Sequence, residues 1–455
     1  MHKFLLFFIA LLITGCGSSS SRDNTRTLEY PYSTNYDTSQ ESAKAHPLLV
    51  IRLDYANQQF VHDESSWAAK IFGNQSSQLN HYMDEVSNGQ FQYSPVAEGG
   101  GDNDGVLTVL FSSDHPNPNI DYDSQYHPDL MDAITAVSDY GFDFSLYDDN
   151  GDGALSSNEL LIMFIMAGEE DAYSGGSSGN GIWAHQYCTT SQYTPTVNGV
   201  NVMGCAESGN YAIFGERHHD TTTISHDASI GIIAHELGHS ALNLPDLYDV
   251  FNRSAGIGAF GIMATGSWGQ AHFTDKPGQT PSHFSAWSKA DIGWFTPELY
   301  SNTANENATL NASHLSTYNI LKVPITPTEY FLLENRSVDG YDEGIKELVT
   351  GTYIGGVAIW HIDEDIINAK RPNNSVNGDE NHKGVDLEEA ENPVMDANSM
   401  NFGDAKNLYY NGNETALTPT STPSSDGYSA SGTGIFIENT TAPSNTMTLD
   451  ITNPN

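Results

Sequence analysis

Positive charge is scarce in this chain of 455 residues: 17 Lys and Arg stand against 58 Asp and Glu, a formal net charge of −41. A chain so poor in cations has little with which to neutralise phosphates, which argues against nucleic acid as a partner. An acidic surface suits solubility in salty water and the binding of divalent cations, and by itself names no substrate. Long apolar runs are lacking too. The uncharged stretch Phe4 to Ile13 is too short to span a bilayer as a helix. Cysteine is rare, with only Cys16, Cys188 and Cys205 present, and no long internal repeat is visible.

What is present begins with export. Lys3, the apolar run and the small residues before Cys16 have the layout of a signal peptide, and the ITGC ending resembles the lipobox of bacterial lipoproteins. The expectation is a signal over residues 1–16, with Cys16 lipidated and the protein exported and held at a bacterial membrane, at the cell surface or outer membrane. Residues 17–46, rich in Ser, Thr, Asn and Asp, read as a flexible tether. With Cys16 committed, Cys188 and Cys205 are left either as a disulfide, as an exported chain invites, or as two free buried thiols.

The remaining residues exceed what one small core usually serves. HPLLVIRLDYA (46–56), FQYSPV, GVLTVLF and LLIMFIMAG (160–168) read as strands, whereas Trp67–Val86 and Leu130–Tyr140 have helical spacing. An α/β catalytic domain with a mixed sheet and covering helices is expected over 47–300. Beyond Pro297 short alternating runs such as YFLLENR, GGVAIWHID and TMTLDIT predict a mainly β domain or extension over 301–455. Between these lies a helix expected to start with Asp227 as N-cap, run through SIGIIAHELGHSAL and stop before Asn243 and Pro245.

That helix carries HELGH. His235 and His239, four apart, place both imidazoles on one helical face, one turn above the other. Two such imidazoles can share one Zn²⁺ and leave room for a third ligand and a water. Glu236, beside the first ligand, can take the proton of that water and hand it to the leaving amine.

After the helix come SALNLPDLYD and GIGAFGIMATGSWG (256–269). Together with HELGH these stretches resemble the immune inhibitor A family of secreted metallopeptidases, part of a wider metzincin-like group. LNHYMDEVSNGQF (79–91), YDDNGDG (147–153), HFSAWSKADIGWF (283–295), YFLLENR (330–336) and GGVAIWHID (355–363) extend the likeness from about residue 47 to beyond 440. The resemblance implies a zinc endopeptidase acting on protein or peptide substrates, with Met263 in the tight turn that floors the metal site. It also implies a glycine three residues after the second histidine and an acidic ligand three further on, yet this chain holds Leu242 and Pro245 there. Proline has no donor atom for a metal. A one-residue insertion repairs the register: Asn243 makes the left-handed turn and Asp246 becomes the ligand, with Asp249 as the other candidate.

YDDNGDGALSSNE sets oxygen donors in calcium-loop order, Asp148, Asn150, Asp152, the Ala154 carbonyl, Ser156 and Glu159, with Gly153 at the sharp turn. A buried strand follows where the second helix of an EF-hand would lie, so a Ca²⁺ loop grafted onto the sheet is expected. His185, His218, His219 and Asp220 read as surface or packing residues more readily than as ligands. Glu334, His361 and Asp363 belong to the resemblance but spacing gives them no chemistry, and Trp268, Trp287 and Trp294 read as core. The rival class is a catalytically silent lipoprotein using the same fold for adhesion or protein binding; an intact HELGH, Glu236 included, speaks against it.

Overall fold

The computed structural model describes residues 45–99, 102–117, 126–174, 181–207, 209–221, 224–391, 393–429 and 431–455. The signal, Cys16 and nearly all of the tether lie outside the described residues. Two compact units emerge, the first from described residues 45–82 and 91–244, the second from 83–90 and 245–455. Among the described residues no helix is long and apolar enough to cross a membrane.

The first unit is built on an eight-stranded mixed sheet. His46–Asp54 runs through its middle, parallel to Leu161–Glu170 on one side and to Tyr93–Pro95 and Val106–Leu110 on the other. Tyr211–Thr221 continues the parallel order, and Ile224–Asp227 closes the edge antiparallel. Leu48 to Ile51 and Leu161 to Met166 are almost wholly buried, as continuous apolar runs require when both faces of a parallel sheet are covered. Helix His127–Asp139 covers part of it with Leu130, Ala133, Ile134 and Val137, a single 3.6-period face.

Two expected boundaries move. The helix read over Trp67–Val86 is two helices, Glu64–Phe72 and Leu79–Val86. At Gly73 the chain turns back so closely that a Cβ would sit 2.4 Å from the Ala69 carbonyl oxygen, a constraint that apolar spacing does not register. Asp227 is not an N-cap: it ends the edge strand, bonded to Arg217 and 2.8 Å from His62 Nδ1, and Ser229 precedes the helix instead. The Cys188–Cys205 disulfide is formed, with Cα atoms 5.0 Å apart. It lies beside the backbone bonds that join Thr189 to Met203 and Cys205 to Thr189.

The second unit is strand-rich, as its alternating sequence predicts. Its five-stranded sheet has Glu329–Arg336 and Gly356–Asp363 at the centre, every residue of both buried. A three-stranded sheet of Thr303–Asn311, Thr446–Asn453 and Phe436–Glu438 contributes Leu310, Met447, Leu449 and Ile451 to the same core. Trp268, Trp287 and Trp294 are buried, as read.

Candidate metal centre

Helix Ile230–Leu242 is buried at every position. Its sequence explains this: apolar and small residues occupy all sides, so the polar His235, Glu236 and His239 are carried into a dry environment by their neighbours. Ser240 Oγ donates to Asn210 Oδ1 at 2.5 Å and anchors the last turn beside the start of the strand Tyr211–Thr221. Asn243 then adopts the left-handed conformation, φ 51° and ψ 31°, which asparagine accepts more readily than a branched residue would.

The reversal sets the tautomer of one histidine. The Leu244 N–H returns to the Gly238 carbonyl at 3.1 Å, and the Leu244 carbonyl lies 2.6 Å from His239 Nδ1. A carbonyl can only accept, so Nδ1 carries the proton and Nε2 presents its lone pair. His235 Nε2 is 3.3 Å from His239 Nε2, with the rings nearly perpendicular. Two nitrogens each about 2.0–2.1 Å from a tetrahedral Zn²⁺ would be separated by about 3.3–3.4 Å. One ligand atom from each of His235, His239 and Asp246 lies within 4.8 Å of the others. Donor type, spacing and burial therefore fit a divalent cation that takes imidazole and carboxylate.

Asp246 and Asp249, the two candidates for the carboxylate, are both buried but employed differently. Asp249 organises its own loop: Oδ1 accepts from the Phe251 N–H and Oδ2 from those of Arg253 and Ser254, at 2.9 to 3.1 Å. Asp246 is held from far along the chain, by the Asn374 side chain on both its backbone N–H and its Oδ2. Nothing in the residues around Asn374 signals that role, and sequence reasoning missed it.

Met263 is buried, and its carbonyl accepts the Leu247 N–H at 2.7 Å. The tight turn is thus tied by backbone to the residue after Asp246, and an Ala264 to Gly261 bond closes it. Beneath the turn lies buried charge. Arg336 pairs with Asp342, lies 3.3 Å from Glu334 Oε1, and donates to the Phe260 carbonyl at 2.6 Å. Asp342 accepts from Arg336 and from the His283 N–H; burial pushes its carboxyl up, but Arg336, His283 and the Ser313 hydroxyl together outweigh that cost and hold it far below the usual range. Burial also pushes Lys289 down to about 8.

The other sequence-predicted residues lie elsewhere. Asp148, Asn150, Asp152 and Glu159 accept backbone N–H bonds within their own loop. Asp148, Asp152 and Glu159 do not converge as a cation-holding group among the described residues, and nothing supports calcium there. Ala154 starts a short strand, and Ser156 Oγ donates to Glu159. His218 and His219 sit on the strand Tyr211–Thr221, His219 beside Glu169. His185 bonds to Tyr126. His361 lies between Glu329 and Glu388, and Asp363 caps helix Glu364–Lys370.

Residues 130–295 match the immune inhibitor A peptidase M6 catalytic domain. The family resemblance read from HELGH is thereby shown, and the M6 match supports a metallopeptidase, with protein or peptide as its substrate class. HELGH, PDLYD, the IMATGSW turn and HFSAWSKADIGWF fall inside the matched range; the stretches at 79–91, 330–336 and 355–363 fall outside it. No curated protein matches the chain. Among solved structures, it is similar to catalytically inactive OgpA from Akkermansia muciniphila in complex with an O-glycopeptide (glycodrosocin) substrate. That alignment has 11% identity and a TM-score of 0.27, covering 72% of this chain and 87% of the other. Wild-type OgpA aligns at 12% identity with the same TM-score and coverage.

Proposed function

We propose that the chain is a zinc-dependent endopeptidase acting on proteins outside the cell, with His235, His239 and Asp246 as zinc ligands and Glu236 as general base. The observation that carries this is the buried pair of Nε2 atoms 3.3 Å apart, with an Asp246 carboxylate oxygen within ligand range. Action outside the cell follows from the export signal read in residues 1–16. Zinc, when bound, supplies Lewis acidity, polarising the scissile carbonyl and acidifying water.

The chain's own residues supply the rest. The Leu244 carbonyl holds His239 in the tautomer that can ligate, so this ring presents its Nε2 lone pair without a change of tautomer. Glu236, buried at 1% exposure next to a ligand, takes a proton from the attacking water on its carboxylate and returns it to the amide nitrogen as the C–N bond breaks. A carboxylate ligand leaves the centre less positive than a third neutral imidazole would. Water activation therefore falls more heavily on Glu236, worth about 10²–10⁴-fold in rate for a positioned general base.

The test is Glu236→Gln. Bound zinc should be retained at one equivalent while digestion of casein or gelatin disappears, and wild-type digestion should stop with a chelator. A Glu236→Gln enzyme that still cleaved protein would remove the assigned role. A wild type that bound zinc and cleaved no protein would point instead to a binding protein built on the same fold.

A further inference from the structure

Asn374 is a buried asparagine at the end of a short 3-10 turn, Arg371–Asn373, and it stands in the left-handed region at φ 49° and ψ 38°. Its carboxamide spans one residue. Oδ1 accepts the Asp246 backbone N–H at 2.7 Å, and Nδ2 donates to Asp246 Oδ2 at 2.5 Å. Amide and aspartate close a ring, which fixes the backbone and side-chain torsions of Asp246 together.

The support of Asn374 is itself rigid. Its N–H returns to the Arg371 carbonyl, and the Ser375 N–H returns to that of Lys370. Arg371 pairs with Asp291 at 2.6 Å. Three residues on, Asn377 is wholly buried and donates to the carbonyls of Leu247 and Val385 at 2.8 Å, while accepting from the Val385 N–H. The two asparagines divide the labour: Asn377 holds the backbone beside the ligand, and Asn374 holds the ligand itself.

We infer that Asn374 is a positioning residue for the metal centre, setting the orientation of the Asp246 carboxylate before the cation arrives. The inference rests on the zinc reading of His235, His239 and Asp246. Carboxamide chemistry suits the task. It supplies an acceptor to the N–H and a donor to the carboxylate, and it adds no charge that would compete with Asp246 for the cation. An aspartate in the same place would keep the acceptor, lose the donor and set two carboxylates against each other.

The test uses the purified full chain, with zinc alone titrated against a chromogenic chelator and apoprotein melting recorded alongside. Asn374→Gly is the informative variant, since glycine accepts the left-handed backbone and removes only the carboxamide. Asn374→Asp is the second, and Asn377→Ala the comparison. Zinc dissociation constants should rise about 10–100-fold in Asn374→Gly, the range for loss of an outer hydrogen-bonding partner, and further in Asn374→Asp. Asn377→Ala should lower apoprotein Tm with zinc affinity within about twofold of wild type, as loss of backbone support alone predicts. If wild type binds zinc and folded Asn374→Gly binds it equally well, the inference is overturned; so is it if neither Asn374 variant folds, which would make the residue a fold element. A wild type that binds no zinc overturns the functional proposal instead.

Discussion

The histidine helix and the loop that follows it hold their polar groups by opposite means. In Ile230–Leu242 the relation between His235, Glu236 and His239 is a consequence of helical periodicity, and burial of the apolar residues around them fixes where the helix lies. In the loop no periodicity operates. Asp246 takes its orientation from a residue 128 positions away, Asp249 is held by backbone N–H groups two to five residues on, and Leu247 is tied to the turn at Met263. Regular structure places ligands cheaply, whereas a loop ligand has to be built by many separate hydrogen bonds, each of which can be removed singly.

The largest effect should come from exchanging the loop carboxylates. Asp246→Ala should cost more zinc affinity than the roughly 10–100-fold typical of losing an outer hydrogen-bonding partner, with about 1 kcal/mol of apoprotein stability lost because Asn374 Nδ2 is left without its acceptor. Asp249→Ala should do the reverse, keeping zinc but losing about 2–4 kcal/mol of stability, because three buried N–H groups lose their acceptor. Chelator competition and thermal melts on both variants read the two quantities. Equal zinc affinities in the two variants would mean that the loop supplies no ligand, or a different one.

The buried charge beneath the Met263 turn comes next. Arg336→Met should destabilise by about 3–5 kcal/mol, since Asp342 and Glu334 would be left buried without their cation. The Phe260 carbonyl would lose its donor as well. A denaturant melt with an unchanged midpoint would show that the arginine contributes nothing to the second unit.

What could be read in advance follows the same division. HELGH announces itself because helical spacing is written into the letters, and the need for a left-handed residue at Asn243 follows from the missing glycine. The parallel strands were legible because both their faces are buried and the apolar letters run unbroken. Asn374 was not legible: a hydrogen-bonding partner joined by the tertiary fold leaves no local pattern, and one Asn in RPNNSVN looks like any other turn residue. The helix start was misread for a related reason. Asp227 has cap chemistry, yet Arg217 and His62 compete for its carboxylate and the strand claims its backbone. The order of donors in YDDNGDGALSSNE is legible in the letters, whereas whether they hold a cation is not: their oxygens accept N–H groups of their own loop.

A smaller effect tests the strand-rich unit by pH. His361 is buried between Glu329 and Glu388, with Tyr428 stacked on it at 4.4 Å and Phe331 at 4.8 Å. The two carboxylates outweigh burial and raise its pKa to about 9 from 6.5. A raised folded pKa stabilises fully below the unfolded value, so the contribution is complete below about pH 6.5 and is lost as pH rises through about 9. It amounts to about 1–3 kcal/mol. Melting temperature should therefore fall between pH 7 and 9.5, and His361→Gln should flatten that fall. Parallel curves for the two proteins would show that the imidazolium is not the group responsible.

The smallest effect probes the hinge between helix and loop. Asn243 sits where a left-handed residue is required, so Asn243→Gly should change stability by less than about 1 kcal/mol and leave zinc affinity alone. Asn243→Val meets the full steric cost of that conformation, about 1–2 kcal/mol. The same strain bears on the Leu244 carbonyl that fixes the His239 tautomer, so zinc affinity should fall together with Tm in Asn243→Val. That joint fall would separate a hinge from a mere helix stop: if valine lowered Tm and left the zinc titration unmoved, the turn would terminate the helix without orienting the ligand.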